Sequence, residues 1–152
     1  MSTITWRIAA FEELTTREFH DLLRLRIDVF VVEQACPYPE LDGLDITALH
    51  VMGTNEQGDL VAVARILPPV NDGPPHIGRV VVRIDHRGLG IATALMHTAI
   101  AHTEQRYGPC IIALAAQAHL EHFYAQLGFV RHGQVYDLDG IPHVDMERRP
   151  RS

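Results

Sequence analysis

The feature that most constrains this chain is a glycine turn between two apolar segments. The turn runs from Arg87 to Thr93 and reads R-G-L-G-I-A-T. It follows the β-branched run Val80-Val81-Val82, and from Ala92 to Tyr107 apolar residues recur at helical spacing. This pattern predicts a buried strand, a tight turn and a helix, and the free N–H groups at the start of such a helix can hold a phosphate or pyrophosphate.

Two other phosphate motifs do not fit this turn. A P-loop requires a lysine, and all 13 Lys plus Arg residues of the chain are arginines. A dinucleotide fingerprint requires a third glycine where Thr93 stands and an acidic residue about 20 positions further on. The turn taken alone therefore leaves two interpretations open, an anion site and a simple tight connection.

Composition excludes several classes of function. A chain without lysine cannot use a Schiff-base lysine, and serine occurs only at Ser2 and Ser152, where a Ser-His-Asp nucleophile is not expected. A net charge of −6 without a basic run argues against a nucleic-acid surface. No apolar stretch approaches the roughly 18 residues of a membrane span. We expect one domain over residues 1–152, a cytoplasmic location, and small-molecule partners rather than nucleic acid or membrane.

The remaining pattern predicts a mixed α/β sheet. Thr15 and Glu18 form a capping box for a first helix, the segment from Glu33 to Thr47 is irregular, and a short helix spans His119 to Leu127. The predicted strands are Thr5–Ala10, His50–Thr54, Leu60–Leu67, Ile77–Ile84, Cys110–Ala115, and two more between Phe129 and Met146. Strands precede, separate and follow the helices, which indicates an α/β or α+β fold.

Two motifs together carry a family resemblance. Arg87-x-x-Gly90-x-Ala92 resembles the acyl-CoA pyrophosphate loop of the GNAT N-acetyltransferases. The segment from Phe123 to Phe129, F-Y-A-Q-L-G-F, resembles the aromatic-Tyr-x-x-x-Gly-Phe segment of the same family. The first half of the chain and the tetrapeptide G-I-P-H ending at His143 are similar to the ElaA-like branch. The resemblance extends over nearly the whole chain.

The resemblance implies a fold and a reaction. The fold is a mixed, mostly antiparallel sheet flanked by helices, in which the fourth and fifth strands, here Ile77–Ile84 and Cys110–Ala115, splay apart around acetyl-CoA. The reaction is direct attack of a neutral primary amine, on a small molecule or a peptide, on the acetyl carbonyl. No acyl-enzyme and no metal take part.

The resemblance also implies a set of site residues. Main-chain groups of Val80, Val81 and Val82 would bind the pantetheine arm. The pyrophosphate would lie on Arg87, Gly88, Leu89, Gly90, Ile91, Ala92 and Thr93. Gln117 stands near the position where many relatives place an asparagine, and Tyr124 would lie beside the thioester sulfur as the general acid.

The group that deprotonates the amine is harder to assign. Some relatives carry a glutamate on the strand before the glycine turn, which this chain lacks, so the proton passes either to water or to a side chain, for which the candidates are Glu33, His76 and His143. We take Glu33 as the first of these. Seven acidic residues and no arginine lie between Ile27 and Ala64. This pattern leaves two interpretations open, a field that attracts a cationic acceptor and a solvated acidic face.

Other interpretations stay open. The domain could be a catalytically idle acyl-CoA sensor, or Cys36 could act as a nucleophile. His119 and His122 could share a helix face as metal ligands, although the spacing shows no third ligand. A homodimer is an alternative to a monomer.

Overall fold

A computed structural model describes residues 3–151, so both serines, Ser2 and Ser152, lie outside the described residues. Its eight strands are β1 (Thr5–Ala10), β2 (Leu49–Thr54), β3 (Leu60–Leu67), β4 (His76–Val82), β5 (Ile112–Gln117), β6 (Phe129–Arg131), β7 (Tyr136–Leu138) and β8 (Ile141–Arg148). The α-helices are α1 (Thr16–Ile27), α2 (Ile91–Tyr107) and α3 (Glu121–Ala125), and α1 continues directly into a π-helical turn, Asp28–Glu33. No helix within residues 3–151 is long and apolar enough to cross a membrane.

The strands form one sheet in the order β1-β2-β3-β4-β5-β8-β6, with β7 also paired to β8. Every pairing is antiparallel except that of β4 with β5, which confirms the predicted mixed, mostly antiparallel fold. The two strands predicted after Phe129 are three. Gly133, with φ of 100°, lies in the break between β6 and β7, and both short strands pair with the long strand β8.

The helices cover opposite faces of the sheet. The capping box of α1 is formed, since the hydroxyl of Thr15 accepts the N–H of Glu18 and the carboxylate of Glu18 accepts the N–H of Thr15, each at 3.0 Å. α1 packs Leu22 and Leu25 on one face of the sheet, whereas Leu95 and other residues of α2 pack on the opposite face. The sheet thus separates two layers of core, and α1 and α2 pack on β4 from opposite faces.

The predicted splay of the central strands is present. β4 and β5 share a single backbone pair, His76 with Ala113, and then diverge. On its other edge β4 carries a bulge, because Val63 pairs with Val81 and Arg65 pairs with Gly78. Ala64 of β3 therefore lies opposite two residues of β4, Arg79 and Val80. Arg79 has a left-handed φ of 52°. A bulge bends the strand that carries it, and this one lies where β4 leaves β5.

Local segment boundaries differ modestly from the predicted ones. β4 ends at Val82 because residues Ile84–His86 form a 3-10 turn, and β5 begins at Ile112. The short helix predicted from His119 is divided into a 3-10 turn, Ala118–Leu120, and α3. These shifts leave the glycine turn between β4 and α2, and Tyr124 on α3, as predicted.

Candidate active site

The divergence of β4 and β5 opens a cavity of about 580 Å³. One wall is β4 from His76 to Val82, and the opposite wall includes Ala115 and Gln117 of β5. A smaller cavity of about 240 Å³ lies against the glycine turn and shares Val82, with other residues, with the larger one. The two cavities form one cleft that runs from the glycine turn to the narrow end of the splay.

The glycine turn offers unpaired N–H groups. Gly88 and Gly90 have φ of 78° and 79°, and no heavy atom lies within 4 Å of the place where a Cβ would stand on either residue. The first hydrogen bond of α2 runs from the N–H of Ala94 to the carbonyl of Gly90 at 3.2 Å. The preceding N–H groups, those of Ile91 to Thr93, therefore have no partner within the helix. Together with the helix dipole they provide a site for an anionic group.

The side chain of Arg87 is engaged at the rim of the cleft. Its Nε donates to the carbonyl of Val82 at 3.0 Å, and its Nη1 and Nη2 donate to the two carboxylate oxygens of Glu33 at 2.7 and 2.9 Å. This ion pair holds the pKa of the Glu33 carboxyl below its ordinary value. Glu33 is thus ionised at neutral pH, but the pair weakens it as a proton acceptor. The pair also joins the π-helical turn to the glycine turn.

Tyr124, near the C-terminal end of α3, lies on the cavity wall. Its ring is 6% exposed and packs edge-on against Phe123 and Phe129, with centroid distances of 5.0 and 6.1 Å. Burial raises the pKa of the phenol to about 12, so it stays protonated at neutral pH. Within residues 3–151 no protein group forms a hydrogen bond with its hydroxyl, which leaves the hydroxyl available to a ligand.

Gln117 lies on the cavity wall with its side chain already paired. Its amide exchanges two hydrogen bonds with the amide of Gln34, at 3.3 and 3.2 Å. Gln34 follows the π-helical turn, so this pair connects the α1 side of the cleft with the end of β5. The two residues are 83 positions apart, and no local sequence signal predicts their contact.

The two histidine candidates for the base also line this cavity. In His143 the Nδ1 atom lies 2.7 Å from the carbonyl oxygen of Ile141, and in His76 the Nδ1 atom lies 3.1 Å from the carbonyl oxygen of Pro74. A carbonyl can only accept, so Nδ1 carries the proton in each neutral ring and Nε2 keeps its lone pair. The cavity therefore brings together all three predicted candidates.

Of the seven acidic residues between Ile27 and Ala64, Glu33 alone lines the cavity wall, and its carboxylate is paired with Arg87. Three carboxylates of that segment pair with arginines from other elements, Glu40, Asp42 and Asp45 with Arg26, Arg65 and Arg79. These six residues form one ionic network. Two of its arginines, Arg65 and Arg79, line the cavity, whereas none of its three carboxylates does. Counting charges within one segment could not detect these partners, which come from elsewhere in the chain, and the attraction of a cationic acceptor stays a prediction.

The cysteines are free thiols. Cys36 is buried on the cavity wall, where its Sγ donates to the carbonyl of Asp139 at 3.0 Å. Cys110 lies outside this wall, and burial raises the pKa of its thiol. Among residues 3–151 no group of three His, Cys, Asp or Glu side chains is arranged to hold a metal ion, and His119 and His122 have no third ligand there.

Comparison with known proteins agrees with this geometry. A family model described as an acetyltransferase (GNAT) domain matches residues 29–150. Protein ElaA of Escherichia coli K12 is 40% identical over 148 residues, which cover 95% of this chain and 96% of ElaA. The crystal structure of E. coli ElaA superposes with a TM-score of 0.91 at 39% identity and covers 97% of this chain and 100% of that one.

A second solved structure gives the same result. It is an acyl-CoA N-acyltransferase from Pseudomonas aeruginosa, with a TM-score of 0.91 and 42% identity, and it covers 96% of this chain and 99% of that one. The resemblance inferred from the glycine turn and from the segment around Tyr124 is thereby confirmed. The chain belongs to the GNAT family of acyl-CoA N-acyltransferases, and it is similar to ElaA over almost its whole length.

Proposed function

We propose that this protein transfers the acetyl group of acetyl-CoA to a primary amine of a small molecule or peptide. The observation that carries this function is the single cleft, which has the unpaired N–H groups of the glycine turn at one end and the free hydroxyl of Tyr124 on its wall. An anion site and a proton donor on one cleft are what a thioester with a pyrophosphate-bearing carrier requires.

The cleft provides main-chain partners for the carrier. Since His76 is the single residue of β4 that pairs with β5, the edge of β4 from Val80 to Val82 that faces β5 has no strand beside it. Its N–H and C=O groups can bind the amides of an extended pantetheine arm. The pyrophosphate would then lie on the glycine turn from Arg87 to Thr93, with main-chain N–H groups as donors.

The chemistry follows from these positions. The lone pair of the amine nitrogen attacks the acetyl carbonyl carbon, and a main-chain N–H of β4 stabilises the developing oxyanion. The C–S bond then breaks, and Tyr124 donates its proton to the departing CoA thiolate. The proton lost by the amine passes to a base, and the products are an N-acetyl amine and CoA.

Of the three candidate bases, we propose His143 for the amine proton. Glu33 is held by Arg87, which weakens it as a proton acceptor. His76 has a free Nε2 but lies at the narrow end of the cleft, where β4 pairs with β5. The Nδ1 atom of His143 is fixed against the carbonyl of Ile141, which leaves its Nε2 as the acceptor that we assign. Replacing His143 with Gln should lower turnover by about 10² to 10⁴, whereas replacing His132, which is exposed and outside the cavity, should not. Equal turnover in both variants would exclude His143 as the base.

The decisive experiment separates an enzyme from an idle acyl-CoA sensor. Purified protein is mixed with acetyl-CoA and a panel of primary amines, released CoA is measured with a thiol reagent, and acetylated amine is identified by mass spectrometry. An acetyltransferase yields both products in equal amounts. Calorimetric binding of acetyl-CoA without product from any amine would instead identify a sensor.

We also propose a single-domain cytoplasmic protein whose partners are acetyl-CoA and the amine. Both core layers pack on the same sheet, and the net charge of −6 argues against binding to phosphate backbones. Light scattering on the purified protein would decide between a monomer and a homodimer.

A further inference from the structure

Arg79 belongs to the ionic network and also faces the cavity with unused hydrogen-bond donors. Its side chain is 23% exposed and forms part of the cavity wall. Its Nε donates to Glu40 at 2.9 Å and its Nη2 to Asp42 at 3.4 Å. Its Nη1 makes no hydrogen bond with any residue from 3 to 151. The guanidinium therefore retains unused N–H donors on the wall of the cavity.

The position of this guanidinium is fixed from three sides. Glu40 and Asp42 hold two of its nitrogens, and its central carbon lies 5.6 Å from the centre of the Tyr38 ring. The Tyr38 hydroxyl in turn donates to Glu40 at 2.6 Å. The backbone of Arg79 has a left-handed φ of 52°, which is unfavourable for a residue other than glycine and persists when surrounding contacts enforce it. A donor held this firmly loses little conformational entropy when it binds an anion.

The charges at this end of the cavity favour an anion. Glu40 and Asp45 are 5% and 3% exposed and lie outside the cavity wall, whereas Arg65 and Arg79 form part of it. The Nε of Arg65 is buried without a hydrogen-bond partner. Asp42, whose side chain is 27% exposed, also lies outside the cavity wall, so the wall includes cationic members of the network and none of its carboxylates. The carboxylate of Glu33, which lies on the same wall, is already paired with Arg87.

We propose that the acceptor is an amine that also carries a carboxylate, such as an amino acid, and that Arg79 binds this carboxylate. This proposal rests on the proposed function. Arg79 immediately precedes Val80–Val82, the segment that would hold the pantetheine arm. A carboxylate bound at Arg79 therefore places the amine of the same molecule near the thioester. The glycine turn at the other end of the cleft stays free for the pyrophosphate.

The test compares amino acids with their amides. Glycine, β-alanine and phenylalanine are each paired with the corresponding amide, and propylamine serves as an amine without either group. The quantity measured is the ratio of kcat/KM for an acid to that for its amide, in the native protein and in Arg79→Asn. Asparagine tolerates the left-handed backbone better than most residues, so this variant removes the charge with little added strain. The matched control is Arg131→Gln, which breaks an exposed ion pair with Glu121 away from the cavity.

The expected result is a preference of the native protein for at least one acid, with a ratio that falls at least about tenfold in Arg79→Asn, the effect of losing one charged hydrogen bond. The ratio should not change in Arg131→Gln. An unchanged ratio in Arg79→Asn, or better use of every amide than of its acid by the native protein, would overturn the assignment.

A second measurement covers the case in which Arg79→Asn does not fold. Propionate and phenylpropionate, which carry the carboxylate without the amine, should inhibit the native protein competitively against the acceptor, and propionamide should not. Absence of this inhibition would contradict a carboxylate site. If propylamine is acetylated and the acids have no advantage, the carboxylate site alone fails. If no amine yields CoA, the acetyltransferase function fails and the carboxylate site fails with it.

Discussion

Arg87 and Glu33 form a two-point ion pair, with N···O distances of 2.7 and 2.9 Å, across the rim of the cleft. The pair joins the glycine turn to the π-helical turn at the end of α1, two segments separated by 54 positions. Since the same guanidinium also binds the carbonyl of Val82, one side chain connects the glycine turn, the end of β4 and the π-helical turn.

A first prediction concerns Glu33. Glu33→Gln removes the charge of a pair whose side chains are 38% and 35% exposed, so unfolding free energy should fall by no more than about 1 kcal/mol. Turnover at saturating substrates should stay within about threefold, because we assign the base to His143 and not to Glu33. Loss of a general base would instead lower turnover by about 10² to 10⁴. The control is Glu121→Gln, which breaks a pair with similar exposure on Arg131. A loss of 100-fold or more in Glu33→Gln alone would reassign the base to Glu33.

A second prediction concerns the glycine turn. Gly90→Glu places a carboxylate where the pyrophosphate is expected, and calorimetry should show at least a 100-fold loss of acetyl-CoA affinity, since like charges repel at close range. Gly58→Glu is the matched control. Gly58 has the same left-handed φ, 83° against 79°, and the same open space at the Cβ position, but it lies in the β2–β3 turn. Equal affinity in the two variants would remove the pyrophosphate from this turn.

A third prediction concerns Tyr124. Tyr124→Phe keeps the packing of the ring and removes the proton donor, so turnover should fall by about 10- to 1000-fold, or about 1.4 to 4 kcal/mol of barrier. Affinity for acetyl-CoA and the melting temperature should hardly change. Tyr107→Phe, which changes a tyrosine outside the cavity wall, provides the control. Native turnover in Tyr124→Phe, with chemistry shown to be rate-limiting, would reduce Tyr124 to a packing residue.

A fourth prediction concerns the buried network. Asp45 is 3% exposed and binds both Arg26 and Arg65, so Asp45→Asn leaves two buried cations without their shared partner and should cost about 3 to 5 kcal/mol in urea unfolding. Asp28→Asn is the control, since Asp28 forms only an exposed pair at 3.9 Å and its loss should cost less than about 1 kcal/mol. Similar losses in both variants would show that the network contributes little to stability.

The same network predicts how stability depends on pH. The hydrogen bond from Arg65 holds the pKa of Asp42 well below its ordinary range. Burial raises the pKa of Asp45, but Arg26 and Arg65 together outweigh it, so this pKa is also lowered. Groups with a lowered pKa in the folded state stabilise the protein above their unfolded pKa, about 3.9, and this contribution is lost as pH falls toward the folded values. The unfolding free energy should therefore decrease between about pH 5 and pH 2. It should decrease less steeply in Asp45→Asn, and parallel curves would contradict the assignment.

The sequence predicted what depends on neighbouring residues. The capping box of Thr15 and Glu18 and the glycine turn before α2 are local patterns with a direct physical cause, and both are present. The family resemblance extended this to the splay of β4 and β5 and to the position of Tyr124 on the cleft.

The sequence did not predict what depends on distant residues. Gln34 pairs with Gln117, and Arg26 pairs with Asp45, only because the chain folds back on itself. The bulge at Arg79 interrupts a run that reads as a regular strand, and its left-handed backbone is stabilised by contacts with Glu40 and Asp42 from another segment. The arginine partners of Glu40, Asp42 and Asp45 could not be predicted for the same reason.

The single backbone pair between His76 and Ala113 has a mechanical consequence. The sheet consists of two halves, β1 to β4 and β5 with β8, β6 and β7. Main-chain pairing joins these halves at one position only, at the narrow end of the cleft. An extended pantetheine arm seated between them would act as a short missing strand, with its amides completing the ladder that the protein leaves unfinished. The carrier would then join the two halves of the sheet as well as deliver the acyl group, and the halves would be held together most firmly while acetyl-CoA or CoA is bound.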